Sequence, residues 1–238
     1  MNLNLIKESI LNLLFPKFCL GCKKEGTFIC EDCLSTIEIS EYTFCPFCEK
    51  PNRTFLGKTC KKHRNFYLNG LFSATSFQNN LVKTLIYNFK YEPFLKELAK
   101  PLSFLIISHF LLSKNEIVFK NSNSLILPIP LHISRLKFRG FNQSELIAKE
   151  ITNYFNVEFS NNVLFRIKKT KPQIKLNKEE RKENIKESFL VRENKIIKNK
   201  TIFLVDDVFT TGFTMEEAAK ALKIAGAKSV YGIVIARE

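Results

Sequence analysis

The residues with the most chemistry in them lie near the C-terminus, in the run Ile202 to Thr214. Four apolar residues, Ile202 to Val205, lead into two adjacent acids, Asp206 and Asp207. A turn containing Thr210, Thr211 and Gly212 follows and runs to Thr214. A turn that opens a helix gathers backbone N–H groups and the positive end of the helix dipole, which makes an anion pocket. The three threonine hydroxyls add donors, and Gly212 lets the backbone approach a phosphate with no Cβ in the way. Carboxylates beside a phosphate repel it unless they face something else. Ribose hydroxyls and a divalent cation are the partners that fit. An ordinary helix cap accounts for Thr214 but not for two acids at the end of a buried strand.

A second constellation occupies the N-terminal quarter. All seven cysteines lie before residue 61, in the pairs Cys19/Cys22, Cys30/Cys33 and Cys45/Cys48, with Cys60 standing three residues before His63. Two intervening residues let a turn bring two donors to one tetrahedral ion, and two such turns complete four ligands. The simplest assignment is sequential: Cys19, Cys22, Cys30 and Cys33 on one zinc ion, Cys45, Cys48, Cys60 and His63 on another. The spacing alone leaves interleaved pairing, or a single ion with the second site empty, open as alternatives. With every position filled by protein the role is structural, because a catalytic zinc keeps one position open. A segment this small has little core of its own, and structural zinc supplies on the order of 10–16 kcal/mol.

These sites need elements to hold them. Thr201–Val205 reads as a buried strand with Asp206 and Asp207 at its carboxyl end. Thr214 reads as the cap of the next helix, with Glu217 completing a capping box. That helix stops at Gly226, and Ser229–Ala236 is a last strand. Strand, helix and strand at this spacing imply a parallel sheet with right-handed crossovers. Ligands bind such sheets at the carboxyl ends of their strands. Upstream, Leu71–Phe77 reads as a strand, Leu81, Leu85, Ile86 and Phe89 mark a helix, and a second helix is expected from about Pro93 to Leu112. Lys114–Asn123 is a loop. Leu125–Pro130 is a buried strand ending in a proline-marked turn. A helix starts at Asn142, a good N-cap, with Leu146, Ile147, Ile151 and Phe155 on one face. The highly charged stretch Lys168–Lys186 reads as a mobile loop that folds over a ligand.

The chain has 238 residues and a net charge of +14. Such a charge suits an anionic partner, although 29 lysines against 8 arginines also fit a simple compositional bias. Clustered cysteines in odd number argue against a secreted disulfide framework and for metal binding in a reducing, cytoplasmic compartment. No transmembrane segment is expected, since no run of 18 apolar residues occurs. Met1–Phe15 lacks a basic start and a small-residue cleavage site, and its apolar spacing suits a short amphipathic helix docking on the protein.

The Asp-Asp-x-x-Thr-Thr-Gly-x-Thr run resembles the phosphoribosyl-diphosphate (PRPP) motif of type I phosphoribosyltransferases. The resemblance implies that Asp206 and Asp207 bind the ribose hydroxyls, and that Thr210, Thr211, Gly212 and Thr214 bind the 5-phosphate, with magnesium accompanying the ligand. Cysteine knuckles followed by such a domain resemble the ComF family of competence-associated proteins. Further carriers of the likeness are Phe15-Pro16, Leu127-Pro128-Ile129-Pro130-Leu131-His132, Arg139-Gly140-Phe141-Asn142-Gln143 with Glu145-Leu146, and, in the charged stretch, Arg166, Thr170, Gln173, Leu176, Arg181 and Asn184. In that family the last knuckle is commonly a cysteine pair, and here His63 takes one position.

The expected architecture is therefore α/β: a type I phosphoribosyltransferase-like parallel sheet flanked by helices over 66–238, with a small double zinc ribbon-like domain over 1–65. Arg135 and Arg139, after the Pro130 turn, are placed to meet the diphosphate with bidentate geometry. Lys168, Lys169, Lys171 and Arg181 sit on the expected lid. The resemblance implies a cytosolic role in natural transformation, handling single-stranded DNA beside competence proteins such as a helicase. The alternatives are an active phosphoribosyltransferase of nucleotide salvage or metabolism, and a regulator that senses the same ligand without turning it over.

Overall fold

The structure is a computed structural model, and it describes residues 15–120, 123–170, 178–192 and 194–238. The expected helix within Met1–Phe15 and the lid residues Lys171, Gln173 and Leu176 lie outside the described residues, as does the side chain of Arg181.

Five parallel strands form the central sheet: β3 (Gly70–Ser76), β4 (Ser124–Pro128), β5 (Glu158–Phe159), β8 (Thr201–Phe209) and β9 (Ser229–Arg237), in the order β3-β9-β8-β4-β5. Two short antiparallel ribbons stand beside it, β1 (Thr43–Phe44) with β2 (Arg53–Thr54), and β6 (Leu164–Arg166) with β7 (Phe189–Val191). The inner strands are apolar on both faces, as parallel strands covered by helices must be. On one face Phe72, Ile126, Phe203, Val205 and Ile233 pack against helices α2 (Asn80–Lys90), α3 (Ala99–Leu112) and α5 (Gln143–Phe155). On the other, Leu71, Leu125, Leu127, Ile202, Leu204 and Val234 pack against α8 (Phe213–Ile224) and Ile197 of α7 (Asn194–Ile197). Several helices begin or end on recognisable signals. Asn79 caps α2 by accepting from the Leu81 and Val82 N–H groups, Asn142 caps α5, and Gly226, at φ 104°, follows the end of α8.

The strand order sets the position of the site. From β4 the chain crosses through α5 to β5 on one side; from β8 it crosses through α8 to β9 on the other. The β4/β8 boundary is therefore the point where the winding reverses, and a crevice opens there at the carboxyl ends of the strands. The register sharpens it. The β4 ladder stops at Pro128, opposite Val205, while β8 continues beside β9 to Phe209.

Several local expectations change. Strand β8 carries Asp206 and Asp207 inside its ladder with β9 rather than beyond its end, because β9 is long enough to keep pairing. The residue capping α8 is Gly212, not Thr214, which stands in the first turn, and Glu217 accepts from the Glu187 N–H at 2.8 Å. The long helix starts at Ala99 after a 3-10 turn over Lys96–Leu98, not at Pro93. Another 3-10 turn, Glu116–Phe119, lies within the expected loop, with Phe119 buried. Helix α4 (Ile133–Arg139) fills the connection after Pro130, where only a turn was expected. The charged stretch is not all loop: Lys178–Ile185 forms α6, whose Ile185 is buried.

The cysteine-rich segment, which includes the short helix α1 (Glu31–Ser35), packs on the sheet domain. Cys19, Ile29 and Ile37 join the core on the α3 face. The Arg237 guanidinium, at the end of β9, donates to the carbonyls of Cys45, Pro46 and Cys48 at 3.1–3.3 Å. The Glu216 carboxylate, in the first turn of α8, accepts from the Tyr67 and Leu68 N–H groups, both at 2.9 Å.

Candidate functional site

The crevice at the β4/β8 switch is walled by α2, α4 and the start of α5. Asp207 is 2% exposed. Its Oδ1 meets the Lys90 ammonium at 2.9 Å and accepts from the Val208 N–H at 2.8 Å; its Oδ2 accepts from the Gln143 side-chain amide at 3.2 Å. Asp206 Oδ1 accepts from the Ser144 hydroxyl and from the Asp207 N–H, each at 2.9 Å. Asp206 Oδ2 has no hydrogen-bond partner among the described residues, so it is the one oxygen of the acid pair that the protein leaves unused. A carboxylate offers about four acceptor positions. Asp207 has spent three of them inside the protein, and Asp206 two.

Burial drives the electrostatics. It pushes the Asp206 carboxyl up to about 7, helped by the neighbouring Asp207, while Lys90, the Asp207 N–H and Ser144 pull the other way. For Lys90 burial alone favours the neutral amine, but the attraction of Asp207 and Asp206 outweighs it and the ammonium is held above its ordinary range.

Of the two arginines expected at the diphosphate, Arg139 points inward, its guanidinium on the Gln143 carbonyl. Burial lowers its pKa, with Asp207 opposing. Gln143 thereby links Arg139 to Asp207. Arg135 donates to the Thr170 carbonyl at 3.0 Å. Arg166 reaches the same threonine, donating to its hydroxyl at 2.7 Å, and is lowered to about 10 by burial and by repulsion from Arg135. Two guanidiniums thus converge on one buried threonine beside the crevice. Lys168 and Lys169 are exposed, and Lys168 donates to the Lys186 carbonyl at 3.3 Å.

Beyond the acids, the chain turns through Thr210 and Thr211 into α8. Gly212 has φ 77°, and a Cβ there would lie 2.4 Å from the Phe209 ring. The tight turn therefore depends on glycine, and it exposes the first N–H groups of a twelve-residue helix at the end of the acid-bearing strand.

The eight knuckle residues gather sequentially, Cys19, Cys22, Cys30 and Cys33 in one group and Cys45, Cys48, Cys60 and His63 in the other, the donor atoms of each group lying within 4.8 Å of one another. Tetrahedral zinc with bonds of about 2.3 Å to sulfur and about 2.0–2.1 Å to nitrogen sets S···S edges near ~3.8 Å and S···N edges near ~3.6 Å. The closest sulfur pairs stand at 3.6–3.7 Å, and His63 Nδ1 lies 3.3–3.5 Å from the sulfurs of Cys45, Cys48 and Cys60. Both groups fit zinc in number, donor type and size.

Known families match the same two regions. The double zinc ribbon domain matches residues 10–63, and the phosphoribosyl transferase domain matches residues 140–238. Competence protein F of Haemophilus influenzae is 33% identical over 106 residues, 44% of this chain and 46% of that protein. Competence protein ComFC of Bacillus subtilis is 28% identical over 218 residues, 88% of this chain and 84% of that protein. In both regions the chain is similar to ComF-family competence proteins. DNA utilization protein YhgH of Escherichia coli K12 is 33% identical over 105 residues, 44% of this chain and 45% of that relative. The chain spans about half the length of these shorter-matching relatives. Its architecture is a type I phosphoribosyltransferase-like sheet joined to a double zinc ribbon, and no helix among the described residues is long and apolar enough to cross a membrane.

The motifs alone assign no role to Lys90, Ser144 or Thr170. Nothing local marks Lys90, which ends an amphipathic helix 117 residues before its partner. Ser144 carried a usable signal, since it directly follows Asn142 and Gln143 at the start of a helix beside the switch point.

Proposed function

We propose that this chain is a competence protein that binds phosphoribosyl diphosphate in the β4/β8 crevice and acts in handling single-stranded DNA during natural transformation. The observation that carries the ligand is the acid pair on β8 joined to a glycine-dependent turn at a helix N-terminus, at the switch point of a parallel sheet. In this reading the N–H groups and hydroxyls of Thr210, Thr211, Gly212 and Thr214 hold the 5-phosphate. Asp206 accepts from the ribose hydroxyls. Asp207 and Arg139 orient the site through Gln143, and Arg135 faces the diphosphate with its magnesium. Cys19, Cys22, Cys30 and Cys33 hold one structural zinc and Cys45, Cys48, Cys60 and His63 the other, with residues 1–65 and 66–238 as the two domains of a cytoplasmic protein.

The competence role is supported by the names of the relatives and by the charge of +14, which suits single strands that bind basic surfaces with steep salt dependence. Calorimetric titration with phosphoribosyl diphosphate and Mg²⁺ tests the ligand. Saturable binding that D206N weakens by at least about tenfold, the scale of a lost charge-assisted hydrogen bond, is expected. No binding by folded, zinc-loaded protein overturns the reading. The intact acid pair also favours turnover, for which release of diphosphate with a nucleobase is the assay.

A further inference from the structure

Lys90 occupies a place where a divalent ion would be expected. It is the last residue of α2, where a cation is stabilised by the helix dipole, and the neighbouring Phe89 is fully buried and packs on Phe141 with ring centroids 5.7 Å apart. The helix end is therefore fixed, and the ammonium is delivered 2.9 Å from Asp207 Oδ1, with a side chain 26% exposed against 3% for the aspartate. That oxygen also takes the Val208 N–H, and Oδ2 takes Gln143. Mg²⁺ requires near-octahedral oxygen ligands and gives up its waters reluctantly. Of the four carboxylate oxygens in the pair, Asp206 Oδ2 alone has no partner among the described residues.

We infer that Lys90 is the resident cation of the ribose site: its ammonium neutralises the acid pair in the place of a divalent ion, so the ribose 5-phosphate portion of the ligand binds without Mg²⁺. This rests on the reading of the crevice as a phosphoribosyl site. An ammonium has three donors. One is spent on Asp207, and the others face the oxygens that a bound ribose brings to the crevice. Any magnesium then belongs to the diphosphate and travels with it.

Ribose 5-phosphate, which carries no diphosphate, is the probe. Its affinity is measured in EDTA and in excess Mg²⁺ for wild type, K90R and K90M, with the fold of each variant checked by thermal melting. Wild type is expected to bind with affinities within about threefold in the two buffers. K90R should keep that independence. K90M should lose on the order of tenfold in EDTA, the scale of one charge-assisted contact, and recover part of it in Mg²⁺. A wild-type affinity that collapses in EDTA overturns the inference without any variant, as does a K90M loss that is equal in both buffers. Wild type that binds ribose 5-phosphate in neither buffer overturns the phosphoribosyl reading itself.

Discussion

Asp206 and Asp207 are adjacent and chemically identical, yet their surroundings give them different work. Asp207 is consumed by Lys90, Gln143 and the Val208 N–H, whereas Asp206 keeps one oxygen open. Their amide variants should separate. D207N leaves the Lys90 ammonium without its carboxylate and is expected to destabilise the fold by up to about 3–5 kcal/mol, as breaking a buried pair does. D206N should do the reverse at alkaline pH. The Asp206 carboxyl is raised from 3.8 to about 7, so its contribution to stability is fully present below the unfolded value and is lost as pH rises through about 7. Denaturation at pH 5 and pH 8 should show D206N gaining on wild type at the higher pH, by about 1–3 kcal/mol, while ligand affinity falls at both. Equal losses of stability in the two variants would contradict the assignment. The sequence displays the acid pair but not this asymmetry, because the partners come from helices α2 and α5, remote in the chain.

At the scale of elements, the turn from β8 to α8 was legible because strand, acids, glycine and helix follow one another directly. What it concealed was the cap. Thr214 looked like the capping residue, but Gly212 takes that place at φ 77°, with the Phe209 ring where a side chain would stand. G212A should therefore cost about 1–3 kcal/mol in unfolding free energy and weaken binding of the 5-phosphate on the order of tenfold, since the turn's N–H groups shift with it. Wild-type stability and affinity in that variant would show that the turn is not under this constraint. The helices around β4 were legible from periodicity and from Asn142. Helix α4 was not, because its seven residues carry no buried side chain and so leave no apolar stripe. Helix α6 was hidden for a related reason: its sequence is almost wholly charged, and a short amphipathic signal reduced to Ile185 does not register as a period.

The molecule as a whole joins two parts that the sequence separates by composition. Local cysteine spacing left the ligand pairing open between sequential and interleaved, and the fold gathers the donors sequentially. No sequence signal marks the contacts between the parts. Arg237 on three knuckle carbonyls ties the second cluster to the end of β9, and Glu216, on the Tyr67 and Leu68 N–H groups just beyond that cluster, holds the following linker to the start of α8, next to the phosphate turn. Removing zinc should therefore reach the ligand site. Chelation is expected to unfold the cysteine-rich segment, which has little core without its metal, and to raise hydrogen exchange in α8 and at the end of β9. Exchange confined to residues before Gly70 would mean that these contacts do not couple the two parts.

The central claim is that the crevice at the β4/β8 switch holds a phosphoribosyl ligand, and a crystal structure of the zinc-loaded protein with ribose 5-phosphate tests it most directly. The account predicts the phosphate on the N–H groups of Thr210–Thr214 and a ribose hydroxyl donating to Asp206 Oδ2, with Lys90 still on Asp207. Ligand bound elsewhere on the basic surface, with the acid pair untouched, would contradict it.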